Sequence, residues 1–221
     1  GTPFISGKDS LNNEYRVGDE TLAIPPTLLI TAMGQVPDVA RAVSTDFKRA
    51  GNLLYQVGST CAELGGSHYH EWLGVKGGSV PRPNLELAPV LFRVLHKALA
   101  KGLVRACHDL AEGGLAVALA EMAIGGDLGA ELDVSALPLE GFKENYDLDA
   151  VALFSESCTR FVVEVEPQQV EAFEAALQWQ PFTRLGVVSA DRRLRIRGHA
   201  GALIDLDLDA LRRAHQGTFH G

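Results

Sequence analysis

Hydrophobic positions divide the chain into two stretches of different character. TLLITAMGQV, residues 27–36, is a nearly continuous apolar run behind Pro25 and Pro26 and closed by Pro37. That is the pattern of a strand buried on both faces. A lone strand forms no sheet, so residues 1–36 read as the last edge of a domain, a strand remnant whose partners lie elsewhere.

A second unit begins at about Asp38. Its pattern predicts a strand over Asn52 to Val57, the glycine-rich loop ELGGSHYHEWLG with a helix starting near Glu71, and a helix from Leu85 to Lys101 ended by Gly102. A short strand follows at Leu103 to Cys107, then the segment HDLAEGGLAVALAEMAI and a strand over GAELDVS. A polar stretch leads to ALFSESCTRFVVEVEP, in which Arg160 to Glu166 alternates as a half-buried strand. The spacing gives a helix over Gln168 to Gln178, strands near Thr183 to Ser189 and Arg193 to Arg197, and an amphipathic helix from Asp207 to Gln216. Interleaved strands and helices argue an α/β, or mixed α+β, fold in which a mixed sheet is layered with helices.

Composition narrows the class. The 221 residues are 46% hydrophobic, ordinary for a globular protein, and carry 20 basic against 28 acidic residues, a formal charge of −8. RRLRIRG (Arg192 to Gly198) is the one basic cluster, and its alternation suits the solvated face of a strand better than a nucleic-acid patch. Cys61, Cys107 and Cys158 are widely spaced and odd in number, which suggests neither a disulfide framework nor a CxxC metal site. A reducing cytoplasm fits them best. No run approaches the about 18 consecutive apolar residues of a membrane span.

Three segments carry candidate chemistry. In HDLAEGGLAVALAEMAI, Asp109 and Glu112 have the spacing of a helix N-cap and its reciprocal partner. Gly113 and Gly114 in the first turns each cost about 1 kcal/mol relative to Ala. They make sense where another backbone packs tightly or where a phosphate approaches bare N–H groups; both readings stay open. Gly65, Gly66 and Ser67 form a second glycine pair of the everyday turn type, also able to cup an anion. His68 and His70 have metal-compatible spacing but no evident third ligand. SGKDSLNNE lacks P-loop spacing yet has the inventory for nucleotide chemistry: Lys8 as a point charge for phosphate, Asp9 as a hard ligand for Mg, and Ser10 as a donor. An Asn- and Asp-rich turn is the bland alternative.

Taken in order, ISGKDSLNNE, LYQVGSTCAELGGSHY, HDLAEGGLAVALAEMA and LFSESCTRFVVEV resemble the carboxy-terminal part of the phosphoribosylformylglycinamidine synthase family, within the aminoimidazole ribonucleotide synthetase-like superfamily. The resemblance is collinear over essentially the whole chain. It implies that residues 1–36 are the tail of the second amino-terminal synthetase-like domain and 38–216 the second carboxy-terminal one. It further implies a purine-biosynthesis ligase, an amidotransferase in which ATP activates the formamide oxygen of formylglycinamide ribonucleotide and glutamine-derived ammonia displaces the phosphate. ATP and Mg are the implied cofactors. The implied site residues are Gly7, Lys8, Asp109, Gly113 and Gly114 for the nucleotide, Asp9 for the metal and Ser10 for substrate, with no catalytic side chain in this chain.

Glu156 and Ser157 match the start of a Glu-Ser-Gln substrate motif, but Cys158 replaces its Gln, and a thiol cannot reproduce an amide's paired donor and acceptor. The implied partners are a missing amino-terminal portion of the same chain, a glutaminase domain or subunit, and the ribonucleotide substrate, with no nucleic acid and no membrane. The 27–36 edge is further expected either to pair with a second copy, giving a homodimer of the fragment, or to fray. The alternative function is a catalytically inert nucleotide-binding or scaffold domain.

Overall fold

A computed structural model of the chain describes residues 3–8, 13–24, 28–141 and 146–217. The chain packs as two compact units, Gly1–Pro37 and Asp38–Gly221.

The amino-terminal unit holds an antiparallel hairpin of β1 (Glu14–Val17) and β2 (Glu20–Ala23). Its two-residue turn is Gly18-Asp19, with Gly18 at φ +63°, the glycine-containing connection that suits a tight hairpin. The strand expected over 27–36 is not seen over 28–36: these residues have no ladder partner among the described residues, and Leu29 and Met33 are 91% and 96% exposed. An apolar run without hydrogen-bonding neighbours on either edge gains nothing by becoming a strand. Thr27 lies outside the described residues.

The larger unit opens with a 3-10 turn at Val39–Arg41, capped by the Asp38 carboxylate. Next come β3 (Leu53–Val57), β4 (Thr60–Cys61), α1 (His68–Leu73) and α2 (Leu87–Ala100). They are followed by β5 (Ala106–Asp109), α3 (Gly114–Gly126), β6 (Gly129–Asp133), β7 (Leu139–Glu140) and α4 (Leu148–Phe154). The unit ends with β8 (Phe161–Val165), α5 (Val170–Leu177), β9 (Phe182–Ser189), β10 (Arg193–Gly198), β11 (Gly201–Asp207) and α6 (Leu208–Gly217).

Seven of these strands make one sheet, in the order β11-β10-β6-β9-β3-β8-β5, parallel only between β10 and β6. Helices cover both faces. On one, Leu115, Leu119 and Met122 of α3 pack with Leu208 of α6 against Leu54 and Val162; on the other, Leu91 and Leu95 of α2 and Phe173 and Leu177 of α5 pack against Tyr55 and Val163. Successive residues of β3 and β8 therefore serve opposite cores, which is why LLYQV and FVVEV are apolar at nearly every position. Glu164, the buried exception on β8, accepts from the backbone N–H groups of Lys48 and Arg49 and from the Asn52 amide, tying the lead-in loop to the sheet.

The arginines of β10 do line a solvated strand face. Arg193 pairs with Asp205 at 2.8 Å and Arg195 with Asp191 at 2.6 Å, so the basic cluster meets the chain's own carboxylates. Several short elements go beyond the expected pattern, the β1–β2 hairpin, β4, β7, β11 and α4 among them. β11 lies in GALIDLD, joined to β10 across His199-Ala200, and α4 is a seven-residue helix whose Asp147 cap accepts from the N–H groups of Asp149 and Ala150. Among the described residues no helix is long and apolar enough to cross a membrane.

Candidate functional site

Segments singled out by sequence converge where α4 hands over to β8. Ser155, Glu156 and Ser157 lie between those elements, over β4 and the loop that precedes α1. Ser155 Oγ donates to the Cys61 carbonyl at 2.6 Å, and Ser157 Oγ accepts from the Cys61 N–H at 3.0 Å. These hydroxyls are spent on holding β4, an edge that its two-residue pairing with β7 leaves short of partners.

Arg160 locks the same loop from beneath. It is 1% exposed, donates to the carbonyls of Ser155 and Ser157 and to Thr60 Oγ1, and pairs with no carboxylate among the described residues. Burial pulls its guanidinium down to about 10, still charged at neutral pH. The carbonyls at the end of α4 supply the partial negative charge that this cation faces.

The start of α3 differs from its expected form. Asp109 is the last residue of β5 rather than an N-cap, and the cap position belongs to Gly113, at φ +78° and with no side-chain bond. The capping box of Asp109 and Glu112 is therefore not made, because β5 runs on through Asp109, pairing with Phe161. In its place Glu156 Oε1 accepts from the Gly113 N–H at 2.8 Å and from the His68 N–H at 3.0 Å. The anion drawn to this helix end is thus a carboxylate of the chain itself, bridging the beginnings of α1 and α3.

Gly114 explains the second glycine. A Cβ there would stand 2.5 Å from the Ser155 carbonyl oxygen and 2.9 Å from that of Leu153, at φ +65°. Of the two readings left open by sequence, close backbone approach is the one realised at this residue. Gly65 behaves alike, facing the Gly78 carbonyl, while Ser67 caps α1 by accepting from the His70 N–H at 3.2 Å. The helix begins at His68, not near Glu71, because that cap sits immediately before it. Among the described residues no group of three or more His, Cys, Asp or Glu is placed to hold a metal.

Beside the serines lies a cleft of about 130 Å³, with Cys61, Glu63, Arg82, Glu140, Ser157 and Cys158 in its wall. Burial, then Glu63 and Glu140, push the Cys61 thiol up, so it is a poor nucleophile. Sequence reasoning missed Arg160 and the bridging role of Glu156. An Arg two residues after Cys158, immediately before the nearly all-apolar strand FVVEV, was the available signal. Gly7 and Lys8 are exposed residues of the amino-terminal unit, whereas Asp109, Gly113 and Gly114 belong to the larger one; Asp9 and Ser10 lie outside the described residues.

The sequence profile of the AIR synthase related protein, C-terminal domain, matches residues 49–199. The chain belongs to that family. Within the AIR synthase related family, a phosphoribosylformylglycinamidine synthase subunit PurL from Alkaliphilus metalliredigens is 34% identical over 203 residues, 90% of this chain and 26% of that protein. One from Thermococcus sibiricus is 36% identical over 208 residues, 94% of this chain and 28% of that protein. The chain thus spans about a quarter of the length of the curated relatives it matches. Among solved structures, T. maritima PurL complexed with FGAR superposes with a TM-score of 0.67 at 20% identity, covering 78% of this chain and 30% of that one. E. coli HypE, a hydrogenase maturation protein, superposes at 0.55 with 23% identity over 76% of this chain and 52% of its own. These likenesses establish the AIR synthase-type C-terminal fold.

Proposed function

We propose that the chain is the carboxy-terminal part of a phosphoribosylformylglycinamidine synthase, an ATP-dependent carbon–nitrogen ligase of purine biosynthesis. The observation that carries this reading is collinear identity of 34% and 36% to PurL subunits over nine-tenths of the chain. In this reading residues 1–36 are the tail of the second amino-terminal domain and 38–216 the second carboxy-terminal domain. The activity belongs to the assembled cytoplasmic protein, in which a glutaminase domain or subunit releases ammonia from glutamine and the rest of the synthase supplies the remaining catalytic groups.

The loop of Gly7, Lys8, Asp9 and Ser10 is proposed to meet ATP, its Mg and substrate. Lys8 offers a mobile ammonium for a phosphate, Asp9 a hard oxygen for the metal, and Ser10 a donor to the substrate. When bound, Mg-ATP supplies the phosphoryl group that activates the formamide oxygen. Asp109, Gly113 and Gly114 fit a nucleotide less well as they stand, since the Gly113 amide already serves Glu156 and the space beyond Gly114 is filled by main chain. A phosphate reaches Gly113 only if Glu156 withdraws. On this account the larger unit alone holds shape and turns over nothing, and the synthase activity needs the rest of the protein.

The test is reconstitution. Synthase activity, read as ADP release dependent on formylglycinamide ribonucleotide and ammonia, is expected only when the amino-terminal portion of the protein is restored. Lys8→Ala and Ser10→Ala should then each lower kcat/KM by about a hundredfold, the scale of losing a phosphate or substrate contact at a transition state. Full activity of either variant would overturn the assignment of the loop, and activity of the 221-residue chain alone would overturn the division of labour.

A further inference from the structure

A second cavity in the larger unit, of about 340 Å³, shares no lining residue with the cleft beside Ser157. Its wall includes Arg41 of the 3-10 turn, Ser44 and Lys48 of the lead-in loop, Leu99 of α2, and Val104 and Arg105 just before β5. Three cations of a chain whose formal charge is −8 meet here, and no Asp or Glu is part of the wall.

Each cation is held differently. Arg41 donates to the Ala100 carbonyl at the end of α2 and pairs with no carboxylate among the described residues. That bond offsets the negative end of the helix, which would otherwise repel an anion, and fixes the guanidinium at the cavity. Lys48 is bound at 2.5 Å to Asp46 and at 2.6 Å to Ser44 Oγ, so it and the serine form a fixed side wall. Arg105 reaches Glu166 at 3.5 Å, the arginine exposed and the glutamate half-buried. A pair of that length with an exposed arginine is weak and exchanges for a better oxyanion. Arg41 and Arg105 are the two grips left to a ligand, and Leu99 and Val104 give the cavity an apolar floor.

We propose that this cavity binds a small phosphate ester, its dianionic phosphate between Arg41 and Arg105 and its carbon skeleton over Leu99 and Val104. Guanidinium forks match phosphate oxygens in pairs, which an ammonium or hydroxyl does not. The volume is at the lower end of small-molecule sites, suiting a phosphorylated pentose rather than a nucleotide. Nothing in this inference depends on the purine-ligase reading, because no residue of the Gly7 to Ser10 loop or of the α3 start takes part.

Calorimetric titration of the full chain with ribose 5-phosphate, inorganic phosphate and ribose tests it. Saturable binding of ribose 5-phosphate is expected, with phosphate weaker by a few-fold and ribose silent. Arg105→Gln should weaken ribose 5-phosphate by about tenfold or more, whereas Arg193→Gln on β10 should leave it within about twofold. Arg41→Gln should act like Arg105→Gln, but it also strips a cap from α2, so Arg105→Gln decides if Arg41→Gln fails to fold. No saturable binding, or binding untouched by Arg105→Gln, overturns the proposal. Equal affinity for phosphate and the ester overturns the ester and leaves an inorganic ion site. Binding of a polyglutamate peptide in place of both overturns it in favour of a protein surface.

Discussion

Two apolar runs of this chain meet opposite fates. LLITAMGQV, residues 28–36, forms no strand and stays exposed, whereas LLYQV, residues 53–57, forms the third strand from one edge of a seven-stranded sheet, with Leu54, Tyr55 and Val57 at 0% exposure. Composition does not separate them. Neighbours do: β3 has β8 on one side and β9 on the other, and 28–36 has no ladder partner among the described residues. The glycines repeat the lesson, since nothing lies within 4 Å of a Cβ built at Gly7, while one built at Gly114 collides with the main chain of α4. A residue's chemistry sets what it can do, and the surrounding backbone decides whether it is done.

Substitutions on the two sides should differ accordingly. Arg160→Ala is expected to cost most, about 4 kcal/mol, because it leaves the Ser155 and Ser157 carbonyls buried without donors and opens a cavity. A urea midpoint unchanged from the parent would remove Arg160 from the list of essential supports. Gly114→Ala should follow at about 3 kcal/mol, from steric overlap joined to a left-handed backbone. Glu156→Ala should cost about 1–2 kcal/mol by orphaning the Gly113 and His68 amides. The same variant sharpens the site question, since an emptied α3 start should gain affinity for pyrophosphate over the parent. If it gains none, the glycine pair serves packing alone.

A smaller effect is expected from pH. Burial holds the Glu164 carboxyl above the usual carboxylate range, against the hydrogen bonds from Asn52, Lys48 and Arg49. Its contribution is therefore fully present below the ordinary carboxylate value and is lost as pH rises through the folded one. Glu164→Gln should flatten that part of a stability–pH curve measured by urea melts from acid to neutral pH. The smallest change belongs to Gly7→Ala, within about 0.5 kcal/mol, as for a surface position that touches nothing.

The fold was legible wherever apolar periodicity was long. α2, β6, β8, β9 and β10 stand within a few residues of where the pattern places them, because in each the buried positions recur at the period of the element and so report its burial. Short elements escaped. α4 has seven residues, about two turns, too few for a helical period to show, and the VGDE turn of the amino-terminal hairpin was hidden by the stronger-looking run after it. At the site, the motif positions were readable but their partners were not. Gly113 and Glu156 lie 43 residues apart in sequence, and no local pattern says that the carboxylate of one segment will occupy the amide of the other. The spacing of Asp109 and Glu112 misled for the same reason, as tertiary pairing carried β5 through the position that capping chemistry would have claimed.

The register of β3 also bears on how the protein is made. Leu53 pairs with Val165 and Val187, so the strand leaves the ribosome long before either neighbour exists. Synthesis therefore carries a sticky, unpaired LLYQV until Val187 has been added, and this part of the sheet cannot close until β8 and β9 have emerged. A chaperone that covers LLYQV from its emergence until Val187 has left the ribosome would protect this fold better than one that acts only afterwards.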